Sequence, residues 1–112
     1  MTTDAANFET RLQDFVKATD AFVLAYYQKG FQALVAAGLV PKIELQRGKK
    51  YIRVVSRESN GGGGVYCFLD LHGNIFKADG WKRPAKHIRG SIFDENFSLG
   101  KGLGPYGAAY LR

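Results

Sequence analysis

The change in the spacing of apolar residues near residue 40 constrains this fold more than any other feature of the sequence. Before it, apolar residues recur in steps of three and four between Phe8 and Tyr27, which is the period of a helix with one buried face. After Pro41 they alternate with polar residues, which is the period of a half-buried β-strand. The helical pattern stops where the strand pattern begins, so the sequence predicts an α+β fold.

The helical part is predicted to run from about residue 5 to about residue 37. Gly30 lies inside it, and because glycine weakens a helix interior, we expect a break near that residue. Gly38 suits the left-handed exit from a helix, and Pro41 forbids continuation. The sequence therefore predicts one long helix, broken once, that ends before the first strand.

Aromatic residues form a stripe along this helix, and a stripe with helical spacing is normally buried. Its members are Phe8, Phe15, Phe22, Tyr26 and Tyr27. We interpret the stripe as the face that packs on the sheet. It is rich for a single helix, so part of it could instead serve a homodimer.

Four runs with the period of strands follow in close succession, and turn residues separate them. These runs are residues 42–46, 50–57, 65–71 and 75–78. The short connections predict a small antiparallel meander packed against the long helix. Because short strands with glycine at their corners tend to close on themselves, we expect a partly closed, SH3-like barrel.

The segment after Trp81 is predicted to form a short helix. Pro84 suits the first position of a helix, where its missing N–H costs nothing. Residues 85–89 would form the helix, and Gly90 would end it.

No repeat or linker divides the 112 residues, so we expect a single domain over residues 1–112. It comprises the helical part, residues 5–37, and a basic β-rich part, residues 42–112. The one cysteine, Cys67, cannot form an internal disulfide, and no segment has the pattern of a signal peptide or a membrane span. These observations predict a cytoplasmic protein without a membrane partner.

The excess positive charge lies entirely in the β-rich part. Up to residue 41 the chain has three basic residues and four acidic ones, whereas residues 42–112 have thirteen basic and six acidic ones. The first part therefore has a net charge of −1 and the second a net charge of +7, which together give +6. Such an asymmetry indicates an anionic partner, most commonly nucleic acid, although many basic surfaces are simply solvated.

One candidate site combines six cationic or titratable side chains with the only tryptophan. It consists of Lys77, Trp81, Lys82, Arg83, Lys86, His87 and Arg89. Ammonium and guanidinium groups bind phosphates, and an aromatic face beside them can stack on a base. On a short helix, Arg83, Lys86 and His87 would share one side. The alternative is that Trp81 anchors the core and the charges are solvated.

A second candidate site lies on the second strand. Alternation places Ile52 and Val54 toward the core and Tyr51, Arg53 and Arg57 on the opposite face. Aromatic and basic side chains on one sheet face are typical of nucleic-acid-binding sheets, although an ordinary polar outer face is the alternative.

Catalytic chemistry finds little support in the sequence. The glycines of residues 61–64 lack the lysine and hydroxyl residue of a phosphate-binding loop, so we interpret them as a flexible hairpin loop. Cys67 lies mid-strand and is expected to point into the core, where a thiol is inert. Asp70 is expected to cap the following turn. We therefore expect no enzyme activity, no cofactor and no metal site.

Three segments of the β-rich part have an unusual sequence: GNIFKADGWK at 73–82, PAKHIRGSI at 84–92 and PYGAAYLR at 105–112. They resemble small uncharacterised proteins encoded by tailed bacteriophages, many of them marine. The resemblance covers about residues 50–112 and brings no known activity and no functional residues. It implies a virus-encoded accessory protein that acts inside an infected bacterium.

Two functions fit these observations. The first is a nucleic-acid-binding accessory protein that uses both basic clusters and Trp81. The second is a protein-interaction module that binds an acidic host or phage protein. The charges serve both, and stacking on Trp81 together with a steep salt dependence would distinguish the first.

Overall fold

The computed structural model describes residues 2–59, 61–79, 81, 83–99, 103–104 and 107–108. The chain begins with helix α1, Thr2–Gly30, and helix α2, Gln32–Ala36. Phe31 separates them with φ −139° and ψ 50°, so the predicted break near Gly30 is confirmed. Gly38 then adopts φ +72°, and the Leu39 amide donates to the Leu34 carbonyl over 2.9 Å, which ends the helical part as expected.

Five antiparallel strands follow and form one sheet in sequence order. They are β1 Lys42–Arg47, β2 Tyr51–Arg57, β3 Gly63–Asp70, β4 Asn74–Asp79 and β5 Arg83–Ser91. A short 3-10 helix, Glu95–Ser98, and a small hairpin of β6, Leu103–Gly104, and β7, Gly107–Ala108, complete the described elements. The predicted α+β class and the meander of β1 to β4 are thus confirmed.

The core lies between α1 and one face of the sheet. Helix α1 contributes Leu12, Phe15 and Val23, which are almost completely buried. The sheet contributes alternate residues of its strands, namely Ile52, Val54, Cys67, Leu69 and Ile75. Burying apolar area of this kind is the main favourable term in folding, so the helix and the sheet stabilise each other.

Most of the aromatic stripe belongs to this core. Phe15 is fully buried and meets Phe97 edge to face, with 6.1 Å between ring centroids. Phe8, Phe22 and Tyr27 are partly buried against the core cluster. Leu24 and Phe31, which are not members of the stripe, are exposed. The interpretation of the stripe as a packing face is confirmed, whereas a homodimer stays a prediction.

The predicted barrel is wrong. The sheet is open, and β1 and β5 are its two edges. Because α1 and residues after β5, such as Ile92, Leu99 and Leu103, pack in one core cluster with the sheet, its apolar residues are buried without closure of the sheet. The opposite face is left uncovered by α1.

The predicted short helix after Trp81 is also wrong, because residues 83–91 form strand β5. A five-residue helix gains few hydrogen bonds for its nucleation cost. As a strand, the segment pairs with β4, for example Ile75 with Gly90 and Asn74 with Ser91. Pro84 does not prevent this, because proline is tolerated on an edge strand.

Within the part of the chain that the structure describes, no helix combines the length and the hydrophobicity that crossing a membrane requires.

Candidate nucleic-acid interface

The sheet face opposite α1 carries a row of side chains that crosses all five strands. Registered partners in an antiparallel sheet project on the same side. Gln46 pairs with Arg53, Arg53 with Phe68, Phe68 with Phe76, and Phe76 with Ile88. We call this surface the open face and define it as Tyr51, Arg53, Phe68, Phe76, Trp81 and Ile88.

Aromatic rings form the centre of the open face. Tyr51 meets Phe68 and Phe76 edge to face, with centroid distances of 6.4 and 6.2 Å. Phe68 is only 3% exposed because its neighbours cover it, whereas Tyr51 is 37% and Trp81 46% exposed. Ile88 adds an apolar side chain that is 56% exposed. The result is a packed aromatic base with two accessible rings and an apolar border.

Arg53 lies among these rings and has no acidic partner among the described residues. Its Nε donates to the backbone carbonyl of Trp81 and its Nη1 to Oε1 of Gln46, each over 2.7 Å. Its guanidinium carbon lies 5.9 Å from the Phe68 centroid and 5.7 Å from the Trp81 centroid. Both acceptors are neutral, so the positive charge of Arg53 is held in place without being cancelled.

Two other predicted binding residues form ion pairs. Arg57 contacts Glu44 over 3.0 Å, and Arg83 contacts Asp79 over 3.2 Å. Hydrogen bonds from Arg57, and then from Gln46, hold the pKa of Glu44 below its ordinary value. These pairs are locally neutral, so Arg57 and Arg83 attract an anion less strongly than Arg53 does.

The remaining members of the first cluster do not share one side of a helix, because no helix forms there. Lys86 and His87 are exposed on β5, and Lys77 is half-buried on β4. Arg89 is half-buried, and its Nε and Nη1 are covered and lack a hydrogen-bond partner in the described part of the chain. Lys82 lies outside the described residues. From the two predicted sites, the structure brings together Trp81, Arg53 and Tyr51.

Sequence reasoning missed Phe68, Phe76 and Ile88. The signal was present, because Cys67 and Ile75 were recognisable as core residues and their strand neighbours must face the other way. Ile88 could not be found in this manner, since its segment was interpreted as a helix.

Cys67 and Asp70, two of the residues considered for catalysis, have structural roles. Cys67 is fully buried as expected, and burial raises the pKa of its thiol above the ordinary value. Oδ1 of Asp70 accepts hydrogen bonds from the amides of His72 and Asn74, each over 2.9 Å, which confirms that it caps the turn. Among the described residues, no three histidine, cysteine or carboxylate side chains lie close enough to hold a metal ion.

Comparison with known proteins gives one match. Residues 3–98 match the model of a family described as Family of unknown function (DUF7717). The chain belongs to this family. The DUF7717 segment includes α1 from its second residue onward and all of β1 to β5, so the whole open face lies inside it. No curated protein and no solved structure matches the chain.

Proposed function

We propose that this DUF7717 protein binds unpaired nucleic acid on the open face. The observation that carries the proposal is Arg53, a cation without an acidic partner in the described structure, held among aromatic rings on the sheet face that α1 leaves uncovered. Aromatic rings on a sheet stack on bases, and a nearby guanidinium interacts with bases or phosphates.

The arrangement favours a single strand over a duplex. Tyr51 and Trp81 are accessible rings on the face of a sheet, and a base must leave its helical stack before it can lie on such a ring. The bases of a duplex are already stacked on each other and expose only their edges in the grooves. An unpaired strand meets neither obstacle.

The charge of the β-rich part supports the same partner. Residues 42–112 have a net charge of +7, and Lys86 and His87 are exposed on β5, the strand that carries Ile88. A positively charged surface of this kind attracts a polyanion and makes the binding of that polyanion sensitive to salt.

The resemblance to bacteriophage proteins suggests the setting of this function. In our proposal the protein is a viral accessory protein that acts in the cytoplasm of an infected bacterium by binding, without catalysis and without a cofactor. An acidic host or phage protein is the competing partner, and it would contact the same surface through its charge.

Titration of short unstructured DNA and RNA oligonucleotides against the protein tests the proposal. We expect quenching of Trp81 fluorescence and a log–log salt slope of about −0.7 for each phosphate contacted. Tyr51→Ala should weaken binding by about 1–3 kcal/mol if a base stacks on the ring. Phe93→Ala is the matched control, because Phe93 is 49% exposed but lies outside the open face.

Three results would contradict the proposal. The first is no affinity for the oligonucleotides at about 50 mM salt, where electrostatic binding is strong, and the second is an equal loss of affinity in the Tyr51 and Phe93 variants. The third is the absence of oligonucleotide binding together with capture of an acidic protein whose binding survives nuclease treatment. Sedimentation of the same samples would reveal a homodimer through α1, which is a separate prediction.

A further inference from the structure

We infer that the open face selects guanine and that Arg53 is the residue that recognises it; this inference rests on the proposed binding of unpaired nucleic acid. The proposed function requires only rings and positive charge. Guanine selection requires in addition that an arginine present free donors beside a stacked base.

Arg53 lies where the edge of such a base would be. The Tyr51 ring and the Arg53 guanidinium both lie next to Phe68, with distances of 6.4 and 5.9 Å to its ring centroid. Phe68 is buried, so it supports its neighbours from below. Tyr51 and Arg53 therefore border the same buried ring, and in our inference a base stacked on Tyr51 presents one edge to Arg53.

The Arg53 guanidinium has N–H donors that make no hydrogen bond within the described part of the chain. Of its five N–H groups, one on Nε is used by the Trp81 carbonyl and one on Nη1 by Gln46. Nη2 makes no hydrogen bond within the described part of the chain, so two N–H groups on Nη2 and one on Nη1 stay available. The two bonds already made also hold the side chain in place, which reduces the entropy lost when a base binds.

Guanine matches this donor set. Its O6 and N7 are adjacent acceptors, and arginine contacts them with two parallel hydrogen bonds. Adenine presents an acceptor beside an amino donor, and that donor would oppose an N–H of Arg53. Thymine and uracil offer a single carbonyl acceptor on the corresponding edge. Cytosine presents an amino donor there, but in an unpaired strand its N3 and O2 are also exposed as adjacent acceptors, so cytosine is the base nearest to guanine in this respect.

The test uses thymidine oligonucleotides that differ at one central position, which holds guanine, adenine, cytosine or thymine. A single guanine per strand avoids folded guanine structures. We expect the wild-type protein to bind the guanine strand more tightly than the adenine and thymine strands by about 5- to 150-fold, the range that one bidentate contact provides, with the cytosine strand between them.

Two variants assign the preference to Arg53. Arg53→Lys keeps the charge but removes the paired donors, so the ratio of the affinities for the guanine and thymine strands should fall toward one. Arg57→Lys is the matched control, since Arg57 lies on the same strand but is paired with Glu44. That variant should keep the full preference.

The outcomes separate this inference from the proposed function. Equal affinity for all four strands overturns guanine selection and leaves nucleic-acid binding standing. A preference that persists in a folded Arg53→Lys protein overturns the assignment to Arg53. Failure to bind any strand contradicts the proposed function, and the inference falls with it. The comparison of four strands with the wild-type protein needs no variant, so it decides guanine selection even if Arg53→Lys fails to fold.

Discussion

Gly63 and Gly64 are neighbours at the start of β3, yet their backbones are under different constraints. Gly63 has φ +142°, and a Cβ on it would overlap the carbonyl oxygen of Ser56. Around Gly64 a Cβ would meet nothing within 4 Å. Both residues are paired with β2, so the glycine run is only in part the hairpin loop that the sequence predicted. Gly63 is therefore the residue of this pair that the fold requires to be glycine.

We expect Gly63→Ala to destabilise the protein by about 1–3 kcal/mol, the usual cost of a strained backbone conformation. Gly64→Ala is the matched control and should leave the stability unchanged or raise it slightly, because glycine in a strand loses more entropy on folding than alanine. Urea denaturation of both variants measures the difference. Equal midpoints would show that the backbone at Gly63 relaxes without cost.

At the scale of elements, α1 covers the core and also protects an edge of the sheet. Strand β1 is an edge, and Asp20 of α1 accepts a hydrogen bond from the Ile43 amide over 2.9 Å. Farther along the same strand, Arg47 binds Glu9 of α1 over 2.7 Å. Edge strands with free amides are sites for unwanted pairing between chains. The helix thus anchors β1 by polar contacts at both of its ends.

Asp20→Ala should lower the free energy of unfolding by about 1–3 kcal/mol, because the Ile43 amide would lose its acceptor in a partly buried position. Asp14→Ala, at an exposed position of the same helix, removes the same charge and serves as the control. It should have almost no effect on stability. Hydrogen exchange at the Ile43 amide should accelerate in the first variant alone; unchanged exchange there would contradict the proposed role of Asp20.

At the scale of the whole molecule, two ion pairs connect α1, β1 and β2. Glu9 pairs with Arg47, and Glu44 with Arg57. Hydrogen bonds from Arg47 hold the pKa of Glu9 below its ordinary value of 4.5, and those from Arg57 and Gln46 do the same for Glu44. A lowered carboxyl pKa in the folded state means that the folded protein resists protonation more than the unfolded chain does.

Stability from these pairs is therefore fully present above pH 4.5 and is lost as the pH falls below it, through the folded-state pKa values. We expect the melting temperature to decline over that interval. The double variant Glu9→Gln with Glu44→Gln should decline less steeply, although the effect is small because both glutamates are solvent-exposed. Thermal melts between pH 6 and about 3, which spans the ordinary Glu pKa, measure it. Parallel curves would contradict the assignment.

The comparison of β4 with β5 shows how far sequence reasoning reaches. The hairpin turn at residues 72–74 and the run of strand-forming residues after it identified β4. The segment from Arg83 to Ser91 has no such signal, and Pro84 with Gly90 also fits a short helix. Pairing with β4 stabilises this segment as a strand, and that pairing places Ile88 on the open face.

Local chemistry was enough to determine the helical part, its break near Gly30, its end at Gly38 and the outward side of Tyr51 and Arg53. These features depend on period, glycine and proline, which act within a few residues. The open sheet, the identity of β5 and the contact of Arg53 with Trp81 were decided by the tertiary structure. That contact joins residues 28 positions apart. Because the contact brings together β2 and the segment between β4 and β5, no short stretch of sequence can predict it.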